Sequence, residues 1–563
     1  MSKDLPAIYR MLFMLIIFLF IQLVGSSVSA QVNVSVGNQK TIGGDYKDWG
    51  ICVKKLGLGY VALIQSGSSI SSDRTVALKG VRDYWLVGLN SSLVPIWQKS
   101  YGGSGYEEVY DMFVTSSNDI IMVGLSDSPI SINKTVANYG YINVWIVCTD
   151  SVGTIKWQKV YGGSSGESFG VKLLQLDNGN YVVGTSSFSG ISGTKTESNR
   201  GNTDYWIFCI DSLGNQLWDK TIGGSRYDIL TDMVQISNNE LILAGSSNSP
   251  ISGDKSQDTI SFGSDHLDPH AGKDVWLVKY DYVENKIIWD RVFGGDDEDG
   301  FESYLSFDGK SIYVAAYSAS GISGTKTTAN LGSADVWINK IDTAGNLIWD
   351  KEYGGVRYDG PNYFTFVDNV LIVGTTSSSP ISTTKSENDI GPSSYYSDYW
   401  VFSMDTSGSI IWDKTIGGNS GEGLSDIFVE DKNHLFLIGN SISTNTGYKT
   451  EVIRGNSAIG QRKPDAWIVE LLNNVGISES VASKLIVNVY PNPASGYLNI
   501  SLDNSKDRIS RISVFSILGK NMLNQEVNAQ AYRIDISKYS AGIYIIEGRT
   551  ESGYLFRVKF VKD

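Results

Sequence analysis

The stretch NVWIVCTDSVGTIKWQKVYGG, residues 143–163, carries the reading of the fold. An apolar run over 143–149 meets Asp150-Ser-Val-Gly153, and a second run over 154–161 ends at Gly162-Gly163. Asp caps its own backbone in such a turn and Gly accepts a positive φ, so the stretch reads as two antiparallel strands joined by a tight turn. The same turn recurs at Asp211 to Gly214 and at Asp342 to Gly345. Upstream, residues 109–115 and 119–124 read as two further short strands, and a long loop separates them from the quoted pair.

This four-strand unit recurs along the chain. Gly-Gly pairs start at Gly43, Gly102, Gly162, Gly223, Gly294, Gly354 and Gly417, at intervals of 59, 60, 61, 71, 60 and 63 residues. One Trp per unit, mostly after Asp-aromatic or Asp-Val, stands at 85, 145, 206, 276, 337, 400 and 467. A second Trp precedes the Gly-Gly by five residues in six units. Seven copies of four short strands predict an all-β, seven-bladed β-propeller. The seventh copy has no fourth strand, whereas residues 32–42, before the first Gly-Gly, align with the fourth strand of the others. That segment is expected to complete the last blade and close the ring, which removes open sheet edges. Because the Trp positions are common to every copy, packing between blades explains them better than an aromatic binding platform.

Composition narrows the function. The chain has 563 residues, a formal net charge of −14 and only three Cys. A chain this acidic would repel phosphate backbones, so nucleic acid is not an expected partner. Lys3 and Arg10, an apolar run over 11–24 and Val28-Ser29-Ala30 before Gln31 form a secretory signal peptide over 1–30, cleaved between Ala30 and Gln31. The odd set Cys52, Cys148 and Cys209 excludes a full disulfide framework and reads as buried thiols. The propeller is expected over 31–472 and a linker over 473–484.

Two charges recur in all seven copies. A cation lies three residues before each Gly-Gly, and an acid five after it: Asp48, Glu107, Glu167, Asp228, Asp299, Asp359 and Glu422. The acids are expected near one mouth of the central channel, as loop caps or ion-pair partners in preference to a cation site. A second set of cations ends the motif Ile-Ser-x-x-cation in the long loops, at Arg74, Lys134, Lys195, Lys255, Lys326 and Lys385; it reads as a solvated network on the same face.

Binding specificity needs residues that differ between blades. The enlarged fourth loop carries His266 and His270, the sixth Tyr395 and Tyr396, and the seventh Lys449, Arg454, Arg462 and Lys463. These form the candidate ligand face. The two His lack an evident third ligand, and Asp296 to Gly300 lacks the alternation and distal Glu of an EF-hand, so no metal or other cofactor is expected.

Residues 485–563 hold about seven short strand patterns and read as a small β-sandwich. They contain Val489-Tyr490-Pro491-Asn492-Pro493, then Leu498-Asn499-Ile500, Val514 to Gly519, Ser540-Ala541-Gly542-Ile543-Tyr544, and Lys559 and Lys562 near the end. Together these resemble the type A C-terminal sorting domain of type IX secretion. The resemblance implies Sec export, outer-membrane translocation by the type IX machinery, removal of this domain, and release or surface attachment. The propeller repeats resemble those of exported proteins of unassigned function that share this domain and, more distantly, quinoprotein-type repeats.

The expected function is a secreted or cell-surface propeller that binds an extracellular glycan or protein. It is not expected to be an integral membrane protein after processing. No catalytic constellation is recognisable, and the sialidase-like Ser-x-Asp-x-Gly-x-x-Trp spacing is not met. A carbohydrate-active or quinoprotein-like propeller enzyme and a structural or adhesive surface component are the alternatives.

Overall fold

The computed structural model describes residues 33–261, 272–391, 396–455, 462–474, 486–503, 508–516, 521–551 and 555–563. Ala30, Gln31, His266, His270 and Tyr395 lie outside the described residues. The chain divides into two compact units between residues 476 and 477.

The first unit is a seven-bladed all-β propeller. Six blades are consecutive four-stranded antiparallel sheets: β2–β5 (residues 48–101), β6–β9 (107–161), β10–β13 (167–222), β14–β17 (228–293), β18–β21 (299–353) and β22–β25 (359–416). The seventh joins β26 (Glu422–Asp431), β27 (His434–Ser441) and β28 (Asp465–Asn474) to β1 (Asn33–Ile42), the first strand of the unit. β1 pairs antiparallel with β28 from Asn33↔Asn474 to Ile42↔Ala466, with an irregularity between Val36 and Gln39. β28 therefore runs to Asn474, so residues 473 and 474 belong to a strand and not to the expected linker.

Burial follows strand position. The second and third strands of a blade are buried on both faces, as in β7 (Ile120–Ser126) and β8 (Asn143–Thr149). Neighbouring blades cover those faces, so such strands read as continuous apolar runs instead of alternating ones. The outer strand β9 (Ile155–Tyr161) is buried only near its end. The seven Trp of the third strands are 0% exposed, and each core cluster joins residues of adjacent blades. The three Cys are buried and unpaired, and burial raises each thiol pKa.

The second unit packs a three-stranded sheet, β29 (Ile486–Tyr490), β30 (Tyr497–Asp503) and β33 (Ala531–Asp535), with a four-stranded one, β32 (Asn521–Ala529), β31 (Ile509–Ser516), β34 (Gly542–Thr550) and β35 (Leu555–Lys562). Both contribute to one core that includes Leu498, Ile534, Ile512 and Phe560. The Pro491-Asn492-Pro493 turn lies against β35. The Asn492 amide accepts from the Val561 N–H at 2.9 Å and donates to the Lys559 carbonyl at 3.3 Å. Tyr544 stacks on Phe560 and donates to the Ser540 carbonyl at 2.9 Å.

Candidate functional site

The repeated acids are structural and buried. Each inner-strand acid is the first residue of its strand and is at most 1% exposed. Its carboxylate accepts from the N–H of the second glycine of the preceding Gly-Gly, as in Gly44 to Asp48 (2.7 Å), Gly224 to Asp228 (2.6 Å) and Gly418 to Glu422 (2.9 Å). Serines at the end of the second strand add hydroxyl bonds, such as Ser68 to Asp48 and Ser320 to Asp299, both 2.7 Å. The acids thus cap a loop and do not line an open channel mouth.

The long-loop cations are not a solvated network. Arg74, Lys134, Lys195, Lys255, Lys326 and Lys385 are at most 2% exposed. Lys134 donates to the Ser128 and Val136 carbonyls at 3.0 and 2.8 Å, and Lys385 to the Ser379 carbonyl at 2.6 Å. Lys449 is the seventh member of this set. It is 2% exposed, donates to Thr41 at 3.0 Å and sits 5.0 Å from the Trp467 ring centre, so it does not belong to a ligand face. In this copy Asn445-Thr446 stands where the others have Ile-Ser, which hid the equivalence; the Lys449 N–H bonds the Thr446 carbonyl as that of Arg74 bonds Ser71. Burial pushes Lys134, Lys195 and Lys449 down to about 8.

Little of the basic seventh loop is free to bind. Arg454 is half-buried and pairs with Asp73 (2.9 Å) and Glu451 (3.0 Å). Lys463 lies 3.9 Å from the Tyr46 ring centre, and exposed Arg462 donates to the Ile442 carbonyl at 3.4 Å. Tyr396 is 37% exposed.

The structure brings a different set together in the central channel. All seven inner strands carry a register shift between their first and fifth residues. A bulge bends the strand and re-aims the next side chain. Just past it, one residue per blade pairs with the second-strand residue three before the serine that ends that strand. These are Cys52, Asp111, Lys172, Asp232, Tyr304, Tyr363 and Asp426, and all line one cavity of about 290 Å³. Lys54 joins this ring and pairs with Asp426 at 2.8 Å. Burial lowers the Lys172 pKa, but the carboxylates of Asp232 and Asp111 more than offset that and hold it above its usual value. Burial raises Asp111 and Asp232, which accept from the Leu173 and Leu305 N–H groups at 3.1 and 2.7 Å.

Towards the starts of the inner strands a second cavity of about 460 Å³ opens, lined among others by Tyr110, Phe169, Lys273, Phe301, Glu302 and Tyr304. Phe301 is 46% exposed, with Lys273 5.7 Å from its ring centre. Glu302 lines the wall, one carboxylate oxygen is buried without a hydrogen-bond partner, and burial raises its pKa to about 7. Phe169 adopts φ +62°, between Gly166 at +111° and Gly170 at +98°. A bulky residue in that region is a genuine outlier, costing roughly 1–3 kcal/mol. None of these channel residues was picked out from sequence. Counting four residues on from five of the seven repeated acids reaches Cys52, Asp111, Asp232, Tyr363 and Asp426, and five on from Glu167 and Asp299 reaches Lys172 and Tyr304, a signal of position and not of residue type.

Among the described residues no group of three or more His, Cys, Asp or Glu is placed to hold a metal ion, and no helix is long and apolar enough to cross a membrane.

Residues 488–562 match the family described as a secretion system C-terminal sorting domain. The chain is thus an exported β-propeller protein with a type IX secretion sorting domain. Comparison with curated proteins finds no match. Among solved structures, a Dyadobacter fermentans protein of unknown function aligns at 10% identity over 78% of this chain and 99% of its own, TM-score 0.35. The β-propeller domain of the Trilobed protease from Pyrococcus furiosus aligns at 8% over 78% and 99%, TM-score 0.38. Pyrococcus horikoshii acylaminoacyl peptidase aligns at 8% over 83% and 60%, TM-score 0.37.

Proposed function

We propose that this protein is a secreted or surface-attached glycan-binding propeller whose ligand enters the central channel between Phe169 and Phe301. A signal peptide over residues 1–30 starts its export, and the sorting domain is removed on delivery by the type IX machinery. The strained backbone at Phe169 carries the reading. Local strain persists where the surrounding structure holds it for a task, and here it sets an aromatic side chain in the cavity wall. Aromatic faces suit the apolar side of a sugar ring, while the Glu302 carboxyl and the Lys273 ammonium suit its hydroxyls. Tyr396 and Arg462, exposed in the sixth and seventh long loops, would offer further contacts.

A glycan array followed by calorimetry on the mature protein tests the proposal. Phe169→Gly should weaken binding of the selected glycan at least about tenfold while stability holds or rises by up to about 1 kcal/mol, because glycine accepts the left-handed backbone freely. Unchanged binding together with a lower melting temperature would make Phe169 a packing residue and refute the site.

A further inference from the structure

The blade junctions bury more acid than base. The seven inner-strand acids meet a second set at the start of the third strands: Asp83, Asn143, Asp204, Asp274, Asp335, Asp398 and Asp465, all at most 1% exposed. Thirteen of these fourteen groups are carboxyls, against the seven buried cations described above, one of which, Lys326, is already paired with buried Glu352 at 2.7 Å. At six junctions a third-strand acid faces the inner-strand acid of the next blade: Asp465 and Asp48, Asp83 and Glu107, Asp204 and Asp228, Asp274 and Asp299, Asp335 and Asp359, and Asp398 and Glu422; at two of them both carboxyls border one glycine, Gly102 or Gly354.

The seventh junction shows what the others lack. Asn143 stands there, and its Nδ2 donates to Glu167 at 2.7 Å and to the Gly163 carbonyl at 2.9 Å. Where aspartate replaces it, the corresponding donor is missing: Oδ1 of Asp204, Asp274 and Asp465 is buried without a hydrogen-bond partner. At the Asp335–Asp359 junction one N–H, that of Gly355, reaches both carboxyls, at 3.0 and 2.8 Å.

We infer that each of the six acid–acid junctions binds one proton, shared between its two carboxyls, so that six internal acid–carboxylate hydrogen bonds join the blades where an amide joins the second to the third. Two carboxyls in contact cannot both ionise away from water. Six bound protons would move the formal charge of the full chain from −14 to about −8. Three other groups face the ring: Glu352 beside Lys326 at 2.7 Å, Arg200 near Asp204 and Arg454 near Asp465.

The consequence is sensitivity to base. Burial raises Asp204, Asp274, Asp335 and Asp465 to about 7, and the neighbouring acid adds to this. A raised carboxyl pKa makes the folded state hold protons that the unfolded chain has lost. The stabilisation is complete below the ordinary carboxyl range and disappears as pH rises through about 7. Lys134, Lys195 and Lys449 keep their charge until about 8, so the carboxyls at about 7 titrate first.

Melting of the full chain from about pH 5 to about pH 9, with calcium or a chelator as further arms, provides the test. Asn143→Asp creates a seventh acid pair; it should melt with the unaltered protein at the acid end and a few degrees below it at the alkaline end. Asp274→Asn should do the reverse and flatten the alkaline loss. Direct titration of the unaltered native protein needs no variant to fold and should release about six protons beyond those of its exposed groups and of buried Glu167 and Glu302, which burial raises to about 7, and Glu352, raised to about 8. Identical pH profiles for the variants, no excess protons, or alkaline stability that calcium restores and chelator removes would each overturn the proposal.

Discussion

A Cβ added to Gly223 would lie 2.2 Å from Oδ1 of Asp204, and one added to Gly224 would lie 2.5 Å from Cβ of Ser249. The Gly-Gly pair is therefore a matter of close approach: the first glycine makes room for the third-strand acid, the second for the loop serine. Gly223→Ala should cost about 1–3 kcal/mol, the range for overpacking a tight core, read as a lower denaturation midpoint in urea. Such residues were legible because every blade needs them and so they recur. Their burial was harder to read. Lysine is almost never fully buried without a partner, so Lys326 and Lys385 looked like surface residues. Each is held by carbonyls, hydroxyls or a carboxylate of its own loop and strands, a closeness that only the fold creates.

At the scale of strands, the inner strand of each blade divides into a repeated start and an individual interior. The starts, from Asp48 to Glu422, follow a period and could be read. The channel residues beyond the bulges, such as Lys172, Asp232 and Tyr363, differ from blade to blade and leave no period, so the candidate site stayed hidden. β1 was legible for the opposite reason: it matches the outer strands, down to Lys40, which pairs with Glu451 at 2.8 Å. Removing residues 32–42 would expose β28 as an edge, and an open edge invites pairing between chains. Aggregation, or a melting temperature lowered by ten degrees or more, is expected; scattering and calorimetry would show it. A truncated protein that stays monomeric and melts unchanged would mean that β1 contributes nothing to closure.

The whole molecule separates folding from delivery. Each unit has its own core, the second built on residues such as Leu498, Ile512 and Phe560. A chain ending at residue 476 should still fold, with an unchanged circular-dichroism melt, but stay in the periplasm when the cells are fractionated. Recovery of that chain from the medium would separate export from the sorting domain. Closure by β1 also has a mechanical side. The propeller leaves its last strand at Asn474, and β28 is bonded on both flanks, by β1 and by β27. A pull on the tail acts along β28 and shears two ladders together, instead of peeling bonds away one at a time. The chain thus fastens its own tow-point: traction applied through the C-terminus meets a strand held along both edges, with β1 as one of the two that hold it.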